Sequence, residues 1–80
     1  MTINQAIAIR VRGLLKEKKM SQYKMEQETG LYHSTMNAIL NNRVKASNFK
    51  SIALIVKALD LSLTDFFDHP VFSFDNLEIE

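Results

Sequence analysis

The residues best suited to chemistry lie in one stretch, SQYKMEQETGLYHSTMNAILNNR, residues 21–43. If Met36 and Ile39 turn inward from a helix here, Tyr32, His33, Ser34, Asn37 and Ala38 fall on its outer face. His33, Ser34 and Asn37 can each donate to or accept from a base edge in a DNA major groove, where every base pair shows its own donor and acceptor pattern. Ala38 can offer only contact with a thymine methyl. Arg43 and Lys45, in the polar loop beyond, are placed to clamp phosphate. Catalysis has much less to work with. Cysteine is absent, which removes thiol nucleophiles, disulfides and cysteine-based metal sites together. No two of the nine acids sit in an evident apolar pocket, and no glycine-rich phosphate loop is present. His33 and His69 lack the spacing of a metal pair. No metal or other cofactor is expected, and the chain does not read as an enzyme.

Positioning those side chains requires short helices joined by tight turns. Ile3, Ile7, Val11, Leu14 and Leu15 recur at helical spacing and predict a first helix from about Ile3 to Lys18, with Gly13 inside it. Ser21 is placed to cap a second, about Gln22–Thr29, and Gly30 to end it in a left-handed conformation. A third runs from about Tyr32 to Leu40. A fourth, capped by Ser47 or Asn48, carries a wide apolar face of Phe49, Ile52, Ala53, Ile55, Val56 and Leu59. Ser62 followed by Asp65 announces a short fifth helix, Leu63–Phe67, which Pro70 stops. Beyond it, Phe72/Phe74 and Leu77/Ile79 alternate with polar residues, a pattern that predicts an extended tail. Met20, Met25 and Met36 belong to the core by spacing. Lys16, Lys18, Lys19 and Lys24 read as a solvated face, and Tyr23 and Tyr32 equally as half-buried spacers or as part of the contact surface.

The chain has 80 residues, 46% hydrophobic and 24% charged, enough for one small core and too apolar for a disordered segment. The longest aliphatic run, Ile52–Val56, is far short of the roughly 20 residues a spanning helix needs. MTINQAIAIRVRGLL lacks the basic start, apolar stretch and cleavage site of a signal peptide. Together with the missing cysteines, this suits a reducing, cytoplasmic setting. The net charge of +1 hides an asymmetry. All ten Lys and Arg and five acids lie in residues 1–67, a balance of +5; residues 68–80 hold four acids and no base. The division expected is a basic unit over 1–67, with two short helices about a glycine turn at about 21–40, and an acidic, apolar tail over 68–80; the basic excess fits a polyanion-binding surface and ordinary surface charge clustered by chance equally.

Residues 21–43 resemble the phage repressor and Cro-like helix-turn-helix family, also called the xenobiotic-response-element type. Ser21-Gln22 is similar to that family's Ser-Gln, Gly30 to its turn glycine, and Asn41-Asn42-Arg43 to its Asn-Gly-Lys/Arg loop. Arg10-Val11-Arg12 before Leu14 resembles its first helix, and Ile55–Leu63 its Ile-Ala-Lys-Ala-Leu-Gly-Val-Ser-Leu pattern. The resemblance implies an all-α, five-helix, lambda-repressor-like DNA-binding domain. It implies base contacts from His33, Ser34 and Ala38, to which the residue chemistry adds Asn37, and phosphate contacts from Gln22 and Thr35. Tyr32, Arg43 and Lys45 complete the expected phosphate set. It also implies double-stranded DNA as partner and a homodimer acting as a transcriptional repressor on a pseudo-palindromic operator. The alternative function for the same fold is an antitoxin-like or scaffold module whose main partner is another protein. The sequence departs from the family where Glu26 replaces a usual Ala, Thr29 a usual buried Leu, and Asn42 and Asp60 a common Gly. Glu26 must either bend outward or hold the two helices slightly apart.

Overall fold

Thr2 opens the first helix with a reciprocal cap: its hydroxyl accepts from the Gln5 N–H while the Gln5 side chain accepts from the Thr2 N–H. In the computed structural model, which describes residues 1–41 and 48–78, five helices follow in order. They are α1 (Ile3–Lys18), α2 (Gln22–Thr29), α3 (His33–Leu40), α4 (Phe49–Ala58) and α5 (Leu63–Phe67). No strand occurs among the described residues, so the all-α class is the one found. No helix among them is long and apolar enough to cross a membrane. Side-chain caps start three of the remaining helices. Ser21 accepts from the Lys24 N–H, Asn48 from Lys50 and Ser62 from Asp65. Ser47, the other candidate cap for α4, lies outside the described residues.

Helix ends are tightened by left-handed residues. Gly30 has φ 74°, and Lys19 and Asp60 take φ 54° and 60° without being glycine. In both of the latter cases the next N–H reaches back five residues, Met20 to the Leu15 carbonyl and Leu61 to that of Val56. This conformation explains why Gly is common at the Asp60 position; Asp is one of the few other side chains that tolerates it.

The core is shared by all five helices. Val11 of α1, Met25 of α2, Met36 of α3, Ile55 of α4 and Phe66 of α5 are fully enclosed. Met20 packs against this cluster from the side. α1 lies across α3, and α2 contacts both α3 and α4, which holds α3 from two directions. Arg10 locks α5 onto α1: its Nε donates to the Phe66 carbonyl at 2.9 Å and its Nη2 to that of Asp65 at 3.1 Å. Those are carbonyls of a helix C-terminus, where a cation is favoured. Phe49, assigned to the apolar face of α4, is instead largely exposed at the rim, stacked on Phe67 at 6.4 Å.

The tail is not extended. Pro70–Phe72 and Phe74–Asn76 form two successive 3₁₀ turns, capped by His69 and Ser73. Between and after these turns the backbone is extended at the joints His69, Ser73 and Leu77. The physical reason is hydrogen bonding: with no neighbouring strand, a short segment satisfies its backbone groups locally through three-residue bonds. Val71 is buried, and Phe72 lies 5.8 Å from Phe66 and 5.0 Å from Phe67 between ring centres. Phe74, by contrast, is 79% exposed. Glu78 meets the other end of the chain, its N–H donating to the Met1 carbonyl at 2.7 Å. Ile79 lies outside the described residues.

Gly13 has a simple consequence. It sits on the exposed side of α1, and a Cβ built there would meet nothing within 4 Å. Gly13→Ala therefore raises stability by about 0.5–1 kcal/mol through the helix interior alone. Thermal melting should show a rise of a few degrees, and a fall would reveal a hidden steric role.

Candidate nucleic-acid interface

The turn between α2 and α3 is built from side-chain bonds as well as Gly30. The Gly30 N–H closes α2 on the Glu26 carbonyl at 2.9 Å. Thr29, half-buried, donates its hydroxyl to the Met25 carbonyl at 2.8 Å and accepts from the Leu31 N–H at 3.2 Å. A leucine could fill that space but could not tie the turn, so the departure at Thr29 trades apolar contact for two hydrogen bonds. Leu31 then packs against the core and the chain enters α3.

On α3, Met36, Ile39 and Leu40 are buried, which turns the opposite side outward. His33 and Ser34 are exposed on that side, while Thr35, Asn37 and Ala38 are half-buried. Tyr32 and Tyr23 are 81% and 67% exposed, so neither is a half-buried spacer. Tyr32 stands just before the helix as its cap residue and makes no side-chain cap bond; Tyr23 accepts a hydrogen bond from Gln27. Gln22 is half-buried at the start of α2. Arg43 and Lys45 lie outside the described residues.

Glu26 is the residue that sequence reasoning leaves out of the site. Its side chain is only 13% exposed, and it neither turns out to solvent nor stands unpaired. One carboxylate oxygen, Oε2, accepts from Gln22 Nε2 at 3.0 Å and faces His33 Nδ1 at 2.8 Å. The acid thus bridges α2 and the first residue of α3. The signal available in the sequence is the four-residue step from Gln22, which puts both on one helix face. Farther along α3, Asn41 Nδ2 donates to the Asn37 main-chain carbonyl at 2.9 Å and to Asn37 Oδ1 at 2.7 Å. Arg12 Nη2 reaches Asn41 Oδ1 at 3.4 Å from α1. The structure therefore brings Gln22 to His33 through Glu26, and Asn37 to α1 through Asn41. Among the described residues no group of three or more His, Asp or Glu could hold a metal ion.

The hydrogen bond from Gln22 is the main cause holding the Glu26 carboxyl below its ordinary value of 4.5. Partial burial opposes it, and the His33 hydrogen bond and charge add to the lowering. A carboxyl depressed in the folded state adds stability above the ordinary carboxylate range and loses it as pH falls through the folded value. Glu26→Gln lacks that contribution. The melting temperatures of wild type and variant should differ most at neutral pH and converge below about pH 4.5. A gap that stays constant from pH 7 to 3 would mean the carboxylate is not held as described.

Two helices braced at a glycine turn, with the second turning a polar row outward, form the geometry by which a helix-turn-helix presents a reading helix to the major groove. No curated protein and no solved structure matches the chain. Residues 10–71, most of the chain and all of the elements from α2 to α5, match the Cro/C1-type HTH DNA-binding domain, and the chain belongs to that family.

Proposed function

We propose that this chain is a sequence-specific transcriptional repressor that occupies a pseudo-palindromic operator as a homodimer in the cytoplasm. α3 lies in the major groove. His33, Ser34, Asn37 and Ala38 face bases, and Gln22, Tyr32, Thr35, Arg43 and Lys45 face phosphates. The observation that carries this reading is the outward row on α3, held from behind by buried Met36, Ile39 and Leu40 and from the side by α2. A dimer follows from arithmetic on contacts. Four reading positions on one short helix give too few base contacts for selectivity, since each good contact is worth about 1–3 kcal/mol. Two half-sites double them.

Selection of bound sequences from a random oligonucleotide pool tests the reading directly, because it reports DNA binding, half-site spacing and symmetry together. On the selected site, His33→Ala, Ser34→Ala or Asn37→Ala should each cost about 1–3 kcal/mol while random DNA is bound as before. Arg43→Ala or Lys45→Ala should weaken both alike and reduce the salt slope by about one per lost contact. Wild-type selectivity in all three α3 variants would remove this face from the interface.

A further inference from the structure

His33 and Asn37 can each present either a donor or an acceptor, and which one is presented decides which base is selected. In the neutral imidazole one ring nitrogen carries the proton and the other does not. A side-chain amide likewise offers oxygen at one tip and NH₂ at the other. Neither polarity is free here. Glu26 is a carboxylate and can only accept, so the His33 Nδ1 that lies 2.8 Å from it must carry the proton. The bare nitrogen of neutral His33 is then Nε2, on a ring that is 76% exposed. At Asn37 the logic starts from the backbone. The Asn37 main-chain carbonyl can only accept, so the Asn41 tip 2.9 Å from it is the NH₂. That same NH₂ lies 2.7 Å from the Asn37 side chain, which must therefore meet it with oxygen. Arg12, which can only donate, reaches the remaining Asn41 oxygen and agrees with this orientation. Among the described residues nothing engages the Asn37 NH₂, which is the tip left for a base.

We infer that Glu26 and Asn41 are positioning residues that fix the hydrogen-bond polarity of the reading face, with His33 offering an acceptor and Asn37 a donor to the bases. This rests on the proposal that α3 reads DNA. The base facing His33 must supply an exocyclic amine, so it is adenine or cytosine; guanine and thymine show that nitrogen only acceptors. The base facing Asn37 must accept, which admits guanine, thymine or the N7 of adenine and rejects cytosine. Glu26 and Asn41 determine this preference without needing to touch DNA themselves. An acid where the family favours Ala thus replaces an ambiguous ring with one of defined polarity.

Two measurements on the full chain test the assignment, both at pH 8.5, above the range in which imidazoles ordinarily titrate. Nitrogen-15 spectra of the ring without DNA should show His33 protonated at Nδ1 and bare at Nε2, and Glu26→Gln should yield a mixture. Glu26→Ala serves in the same way if the glutamine variant melts too low to study. Sequence selection with His33→Ala and Asn37→Ala locates the base each one reads. At the first, wild type should favour adenine or cytosine by about tenfold, and Glu26→Gln should reduce that to about twofold. At the second, wild type should disfavour cytosine against the three bases that offer an acceptor, and Asn41→Ala should lose most of that discrimination. A His33 ring protonated at Nε2 in the wild type overturns the polarity assignment while leaving the α3 reading intact. Guanine or thymine opposite His33, or an unchanged preference in Glu26→Gln, overturns it as well. If His33→Ala and Asn37→Ala select the wild-type sequence, the α3 reading itself fails and the base assignment falls with it.

Discussion

Phe66→Ala should lower the free energy of unfolding by about 3–5 kcal/mol, the range for emptying a buried phenylalanine site. A chain of 80 residues has only about 4–12 kcal/mol in total, so the loss is a quarter of it at the least and enough at the lower end to unfold much of the population. The effect is large because several contacts fail together. Phe66 is fully enclosed, its ring meets Phe67 edge-on at 5.0 Å, and Phe72 of the C-terminal turns leans on it at 5.8 Å. Above the ring stands the Arg10 guanidinium, 5.9 Å from its centre, the same group that caps α5. Removing the ring leaves a cavity under all three. Urea denaturation should show an earlier midpoint with an unchanged slope, and Phe66→Leu should cost much less than the alanine. A loss under about 1 kcal/mol would mean that this corner can collapse and that Phe66 is no keystone.

Deleting residues 71–80 should produce two effects of opposite sign. Val71 is buried and Phe72 half-buried against the aromatic cluster, so their loss should cost about 2–4 kcal/mol and expose Phe66 and Phe67. The deletion also removes Asp75, Glu78 and Glu80, which takes the formal charge from +1 to +4. Attraction to random DNA should therefore rise at low salt and lose that advantage as salt screens the field. Thermal melting and sedimentation, read beside binding to random duplex, separate the two effects. Unchanged melting would contradict the packing of the turns; unchanged low-salt binding would show that the tail's charge never reaches the DNA-facing side.

What can be read in the sequence divides along the range of the forces involved. Helix bounds are legible because caps are local: Ser21, Gly30 and Ser62 act on atoms two to four residues away, and all three do what their types suggest. The buried side of α3 is legible for a similar reason, since Met36 and Ile39 follow helical spacing. The tail misleads because alternation suggests a strand only where another strand exists to pair with. Here Pro70 and Ser73 start turns, Phe72 folds back on the rings of Phe66 and Phe67, and α1, far away in sequence, packs against the first turn. Phe49 departs from its expected burial because an apolar face wider than the contact area leaves its edge in water. Glu26 is the least legible. Its residue type suggests solvent, and only the approach of two helices shows that Gln22 and His33 converge on one of its oxygens.

The bond between the Glu78 N–H and the Met1 carbonyl joins points at opposite ends of the chain. A second bond, from the Met1 N–H group to the Asn76 carbonyl at 3.0 Å, lies beside it. In mechanical terms, a load applied through those two points does not shear the helices past one another. It falls first on these two exposed bonds, which Met1 makes to either side of Leu77, before it reaches the turns that cover the aromatic corner. Resistance to pulling is governed by the rate of unfolding along the pulled direction, and two exposed bonds set little of it. The domain should therefore yield at low force when held by its ends, and resist more when held through α1 and α4, where the load must cross the shared core.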